Sequence, residues 1–291
     1  MQERKAKRYL LLFRICSGLT ILALIVSIST KVASSVLTGS AYESAMQISA
    51  ATDTKQKITV YSEAIRLAPE RPDAYILLIS AYGEDGLFDK RESEEFLALY
   101  NANHNYLNPS DPSYGQLQKN IGFLYMNGYD DESPTRLRMA MPFLREANEV
   151  LADDAPGKQA VSCYCKIGTY YEDYIWDASS VREVSQPVME ELITGIEETL
   201  DAFLEDTSPD ALFNRLGFDV AVCNLLLDQR NVLAVTIPQE RVMSILDDIY
   251  SRLPSMESLQ KEQTRQLLQT LEDNKELYYD MILRAYTRKG N

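Results

Sequence analysis

The chain has 291 residues, with 29 basic and 43 acidic side chains and a formal charge of −14. Setting aside residues 1–40, which hold six basic residues and one acid, leaves 23 basic against 42 acidic residues, a formal charge of −19. A surface of that sign repels nucleic acid and anionic lipid, so neither is expected as a partner of the body.

The N-terminus differs from everything after it. Arg4, Lys5, Lys7, Arg8 and Arg14 stand against Glu3 alone, and the 16 residues from Ile15 to Thr30 carry no charge. A bilayer-spanning helix wants about 20 residues. Arg14 and Lys31 can snorkel, which extends the usable length toward Tyr9 and Leu37. Residues 1–40 are therefore expected to be a cytoplasmic basic stub and a single transmembrane anchor. The basic flank sets the N-terminus inside and the body outside the cell membrane. A cleaved signal peptide is the alternative, given the small residues between Ala33 and Ala41. Cys16 opens the apolar run instead of following it, which argues against a lipid-modified cysteine.

The body reads as helix after helix, an all-α fold. Apolar stripes at helical spacing predict helices at 41–51, 54–67, 72–82, 90–106, 113–126, 135–151, 157–175, 183–205, 209–228, 238–252 and 257–287. Ser208-Pro209-Asp210 and Thr236-Ile237-Pro238 read as helix starts, with proline at the first position. Residues 108–112, 127–131 and 153–157 read as turns or loops. The domain reading is an anchor at 1–40, helical repeats at 41–180, and a C-terminal helical region at 181–291. The last region has longer helices, with a stripe through Leu212, Leu216, Val220, Cys223 and Leu227.

Residues 57–82 are the most informative stretch. One stripe runs through Ile58, Tyr61, Ala64, Ile65 and Leu67, and Pro69 ends it. A second begins at Pro72 and runs through Ala74, Tyr75, Leu78, Ala81 and Tyr82. These positions resemble the tetratricopeptide repeat, in which small and aromatic residues pack two helices of a unit. A looser copy follows, with Leu117, Ile121, Gly122 and Tyr125 on one helix and Ala140, Phe143, Leu144 and Ala147 on the next. A third candidate starts at Ala160 and includes Ile167, Gly168 and Tyr171. The resemblance spans roughly 41–175 and implies an α-solenoid of antiparallel helix pairs, with protein binding as its use. The layout is also similar to extracytoplasmic helical-repeat regions of membrane-tethered proteins in Gram-positive bacteria, some attached to serine/threonine kinases. No kinase motif is present in this chain.

Chemistry is hard to find. His104 is the one histidine, and no serine or cysteine around it carries a nucleophile motif, so a hydrolytic triad lacks its parts. The Asn101, Asn103, Asn105 alternation lacks the glycine and glutamate of a calcium loop. Cys163 and Cys165 are too close for the usual zinc or redox spacing, and two residues apart on a helix they point to different faces. They and Cys223 read as core cysteines, with a Cys223 disulfide to one of the pair left open. The acidic pairs Glu190-Glu191, Glu197-Glu198 and Asp247-Asp248 read as solvated faces. No nucleotide loop is present. The expectation is a non-enzymatic scaffold with no catalytic residue, metal or cofactor. Its expected partners are membrane or envelope proteins. An all-helical glycan-active or glycan-binding domain, or a structural subunit of an envelope complex, stays open beside it.

The densest unusual feature is 163–176, with Tyr164, Tyr170, Tyr171, Tyr174 and Trp176 close together. They cannot all face one way on a helix. Ile167, Tyr171 and Tyr174 share a face suited to the core. Tyr170 and Trp176 point elsewhere and are the candidate partner-binding residues, since tyrosine and tryptophan are common interface anchors.

Overall fold

The computed structural model describes residues 39, 42–43, 46–47, 53–83, 90–126, 133–176, 183–203, 209–256 and 262–289. The basic stub, the apolar run at 15–30, the loop at 127–131 and the cap at Ser208 lie outside these residues. Among the described residues there is no β-strand, and no helix is long and apolar enough to cross a membrane. The fold is all-α.

From residue 53 on, the described α-helices follow in order: α1 Thr54–Leu67, α2 Pro72–Gly83, α3 Lys90–Asn103, α4 Tyr114–Leu124, α5 Ser133–Val150, α6 Lys158–Tyr171, α7 Gln186–Ala202, α8 Pro209–Asp228, α9 Arg230–Thr236, α10 Gln239–Met256 and α11 Glu262–Lys289. The chain divides into two compact units, Met1–Pro69 and Glu70–Asn291. The division falls at the joint between the two stripes of 57–82.

In the first unit, α1 buries Tyr61, Ala64 and Ile65 of its predicted stripe, while Ile58 and Leu67 are half-buried. The helix ends where Pro69 would need it to, because a residue before proline is driven out of the helical region. Ala68 caps it, its amide donating to the Ala64 carbonyl (2.9 Å).

In the second unit, α2 buries Ala74, Tyr75, Leu78, Ala81 and Tyr82. Tyr75 meets the ring of Tyr100 on α3 edge-on, at 6.3 Å between centroids. Tyr100 also stacks near Phe96 and His104 and meets Phe143 of α5 edge-on. His104 sits in a 3-10 turn, His104–Tyr106, that ends α3. Its Nδ1 lies 3.0 Å from the Asn101 carbonyl. The polar Asn101–Asn105 stretch is thus a helix end closed on itself.

α4, α5 and α6 pack in succession, α4 on α5 and α5 on α6. Glycine makes the close approach possible. A Cβ on Gly122 would stand 2.5 Å from Leu144 Cδ2, and one on Gly168 would overlap the Met141 thioether. The joint between α5 and α6 is held by two lysines. Lys158 Nζ donates to the Asn148 and Leu151 carbonyls at the end of α5. Lys119 Nζ donates to the Pro156 carbonyl (3.0 Å). Gly157 turns the chain with φ +79°, a left-handed conformation that side chains resist.

The later helices pack differently. α8 and α9 both contact α11, α7 contacts α9, and α8 contacts α10, so the chain folds back across itself. Helices on either side of residue 180 share one core, since Tyr164 of α6 meets Phe218 of α8 edge-on at 5.2 Å. α8 is buried on every side from Arg215 to Cys223. That stretch includes the charged residues Arg215 and Asp219.

α9 lies between the helices predicted at 209–228 and 238–252. It is seven residues long, and Leu233 and Ala234 bury against its neighbours. A helix that short is marginal by itself, so tertiary packing holds it. Pro142 and Pro254 lie inside α5 and α10, each costing its helix one backbone hydrogen bond.

The three described cysteines are free. Cys163 and Cys223 are buried and Cys165 is half-buried. Burial pushes the Cys163 thiol up to about 12 and the Cys165 thiol up to about 11, so both stay protonated and unreactive near neutral pH.

Candidate partner-binding surface

The aromatic cluster grows from the end of α6. There the helix loosens into a π-helical turn, Glu172–Trp176. A π turn shifts side chains around the axis relative to the helix before it, and such turns are frequent at functional positions. It lets Tyr171 point inward while Trp176, five residues on, comes back over it. The two rings lie 5.5 Å apart.

The two residues singled out from sequence have different surroundings. Tyr170 is only 3% exposed. Its hydroxyl donates to Gln229 Oε1 at 2.7 Å, tying α6 to the joint between α8 and α9. Tyr174 packs on its ring at 5.1 Å. Burial raises the Tyr170 phenol above its ordinary value, with Tyr174 adding a little. Trp176 is half-buried and keeps part of its indole at the surface. The Arg138 guanidinium, on the exposed side of α5, lies 4.8 Å above that ring. Such a contact is worth about 0.5–1 kcal/mol at an exposed site.

Beneath them Tyr171 is buried, and its hydroxyl donates to Asp228 Oδ2 (3.1 Å). Burial first, and the Asp228 carboxylate second, raise its phenol well above the ordinary range. Arg145 of α5 pairs with Glu172 of the π turn. The result is a braced platform. Tyr170 and Tyr171 fix it from below, and Trp176 with Arg138 forms its outer face. An indole covered by a guanidinium can take an anionic or carbonyl group against the cation and an apolar group along the ring edge. Tryptophan and arginine are the side chains most often found carrying binding energy at interfaces.

Tyr170 was singled out together with Trp176 because both lie off the core stripe. What sequence spacing could not supply was Gln229, far along the chain, which gives Tyr170 a buried partner. Arg138 was not singled out at all. The signal for it was a basic residue on the helix that precedes the aromatic run, which is too common to notice.

The acidic pairs also have roles that spacing hid. Glu197 accepts two hydrogen bonds from the Arg241 guanidinium, at 2.7 and 2.6 Å, and Glu190 accepts a third. Thr194 accepts a fourth at 2.7 Å. This fork ties α10 to α7. Asp247 accepts from the Tyr279 hydroxyl at 2.7 Å, and Asp248 from Arg252 and Arg215. Among the described residues, no group of three or more His, Cys, Asp or Glu side chains is placed to hold a metal ion.

Compared with known proteins, the chain matches no family model, no curated protein and no solved structure.

Proposed function

We propose that the protein is a membrane-tethered, non-enzymatic interaction scaffold built on tetratricopeptide-like helix pairs. Residues 1–40 anchor it with the N-terminus in the cytoplasm, and the helical body lies outside the cell membrane. It engages membrane or envelope proteins through the Trp176–Arg138 face. Tyr170 contributes by bracing that face from within.

One observation carries the repeat reading. The two segments with Ile-Gly-x-x-Tyr spacing, Ile121 to Tyr125 and Ile167 to Tyr171, lie at the ends of α4 and α6. Both set their glycine against the same intervening helix, Gly122 at Leu144 and Gly168 at Met141 of α5. Helix, partner helix and next helix packed through small residues is the logic of a repeat stack, where each unit buries its apolar stripe on its neighbours. Such stacks bind by presenting side chains at helix ends and faces, and the Trp176 platform sits on the π turn that ends α6.

Crosslinking in intact membranes, followed by capture of the full-length protein, tests the reading. Trp176→Glu should remove the crosslinked partner and leave the thermal midpoint nearly unchanged. Capture that is the same with both proteins would end the assignment to this face. Protease added to intact spheroplasts should degrade the body, and protection until lysis would overturn the outside placement.

A further inference from the structure

Asp219 is 0% exposed, in the middle of α8. Neither of its carboxylate oxygens has a hydrogen-bond donor among the described residues. Its ion partner is Arg215 one turn earlier, with Nε 3.5 Å from Oδ2. That is longer than a good charge-assisted hydrogen bond. Arg215 is itself divided. Its Nη2 reaches across to Asp248 Oδ2 on α10 at 3.2 Å. Asp248 is better served, because Arg252 donates to its Oδ1 from Nε at 2.9 Å and from Nη2 at 2.6 Å.

Of the other charged groups near Asp219, Arg252 of α10 favours its ionised form and Asp248 opposes it. Cys223, one turn later on α8, is buried with its thiol held protonated. Tyr164 of α6 is fully buried, and its hydroxyl has no hydrogen-bond partner among the described residues. α11 packs on α8 through Tyr278, whose hydroxyl donates to Asn224 Oδ1 (2.9 Å). At the end of α7, Phe203 offers only a ring, 5.8 Å from Phe218.

A fully buried carboxylate whose nearest guanidinium is shared and stands 3.5 Å away is costly to ionise. We propose that Asp219 is a proton-binding switch in the seam between α8 and α10. Neutral, it leaves Arg215 to Asp248 and the seam is closed. Ionised, it competes with Asp248 for the Arg215 guanidinium and loosens the seam. The proton exchanges with solvent when the seam opens. Burial pushes the Asp219 carboxyl up to about 7, against the opposing pull of Arg215. An ordinary aspartate sits near about 3.9. Between those values the folded state holds a proton that the unfolded state has lost. Asp219 therefore contributes stability that is fully present below about 4 and is lost as pH rises through about 7.

Asp219→Asn keeps the shape of the neutral form and removes the titration. From about pH 5 to about pH 8, the wild-type thermal midpoint should fall relative to the Asn variant. Amide exchange in α10, corrected for its intrinsic pH dependence, should speed up over the same range in the wild type only. Parallel midpoint curves for the two proteins would overturn the proposal. A second measurement covers failure of the variant to fold. The infrared spectrum of the full-length wild type at about pH 6 should show a protonated-carboxyl band that is gone by about pH 8. If that band is missing at the lower pH, Asp219 is not the switch.

Discussion

α4 to α6 and α7 to α11 solve the same packing problem with different chemistry. The first group packs each helix on its neighbour in the chain, through glycine at the crossings and aromatic rings between them. The second packs helices that are far apart in sequence and ties them with arginine forks, such as Arg241 on Glu190 and Glu197. Stacking between neighbours needs only complementary stripes, which a repeated sequence can supply over and over. Packing that folds back across the chain needs particular partners. Here several of those partners are charged, and Arg215, which reaches Asp248 on α10, is also paired with the buried Asp219 on its own helix. The earlier helices therefore pack mainly on their neighbours in the chain, and the later ones mainly across it, within one all-helical core.

The comparison can be broken at several points. The largest effect is expected from Leu144→Ala, which empties a fully buried position under Gly122. It should cost about 2–5 kcal/mol in denaturant unfolding, with little dependence on salt. Arg241→Met removes the fork between α7 and α10. The arginine is 27% exposed, so the loss should be about 1–2 kcal/mol. That loss should shrink as salt is added, because solvent-facing ion pairs are screened. If the Leu144 and Arg241 variants responded to salt alike, the distinction between the two regions would fail.

Smaller effects sharpen the comparison within the first group. Gly122→Ala forces a methyl against Leu144 Cγ at 2.7 Å, near the stiff trunk of that side chain. Overpacking costs about 1–3 kcal/mol, offset by about 1 kcal/mol of helix propensity. Gly168→Ala should cost less, because the Met141 thioether in its way is flexible and can move aside. Equal midpoints for the two glycine variants would contradict that ranking. Arg138→Ala should change stability least, by about 0.5–1 kcal/mol, since its contact with Trp176 is at the surface.

Much of the helical order was readable in advance. The α1 and α2 stripes point inward at Tyr61, Ala64, Ile65, Tyr75 and Leu78, because a period near 3.6 fixes which residues share a face. α9 was not readable, since its helicity depends on burying Leu233 and Ala234 against other helices. Asp219 was invisible for a related reason. The stripe Leu216, Val220, Cys223 made one face of α8 apolar and left the rest to solvent, yet α8 is buried on every side there. The acidic pairs looked solvated because Arg241 and Arg215 are remote from them in sequence and near them only in the fold. Of the candidate site, Trp176 was legible as an aromatic off the core stripe. The π turn that lays it over Tyr171, and the guanidinium above it, were not.

Docking at the Trp176–Arg138 face is tested most directly by a photo-crosslinking residue placed at Asp173, which is exposed on the same π turn. Irradiation of intact membranes should give a discrete crosslinked product with Trp176 present and none with Trp176→Glu, at equal levels of folded protein. The same product from both proteins would contradict docking at this face.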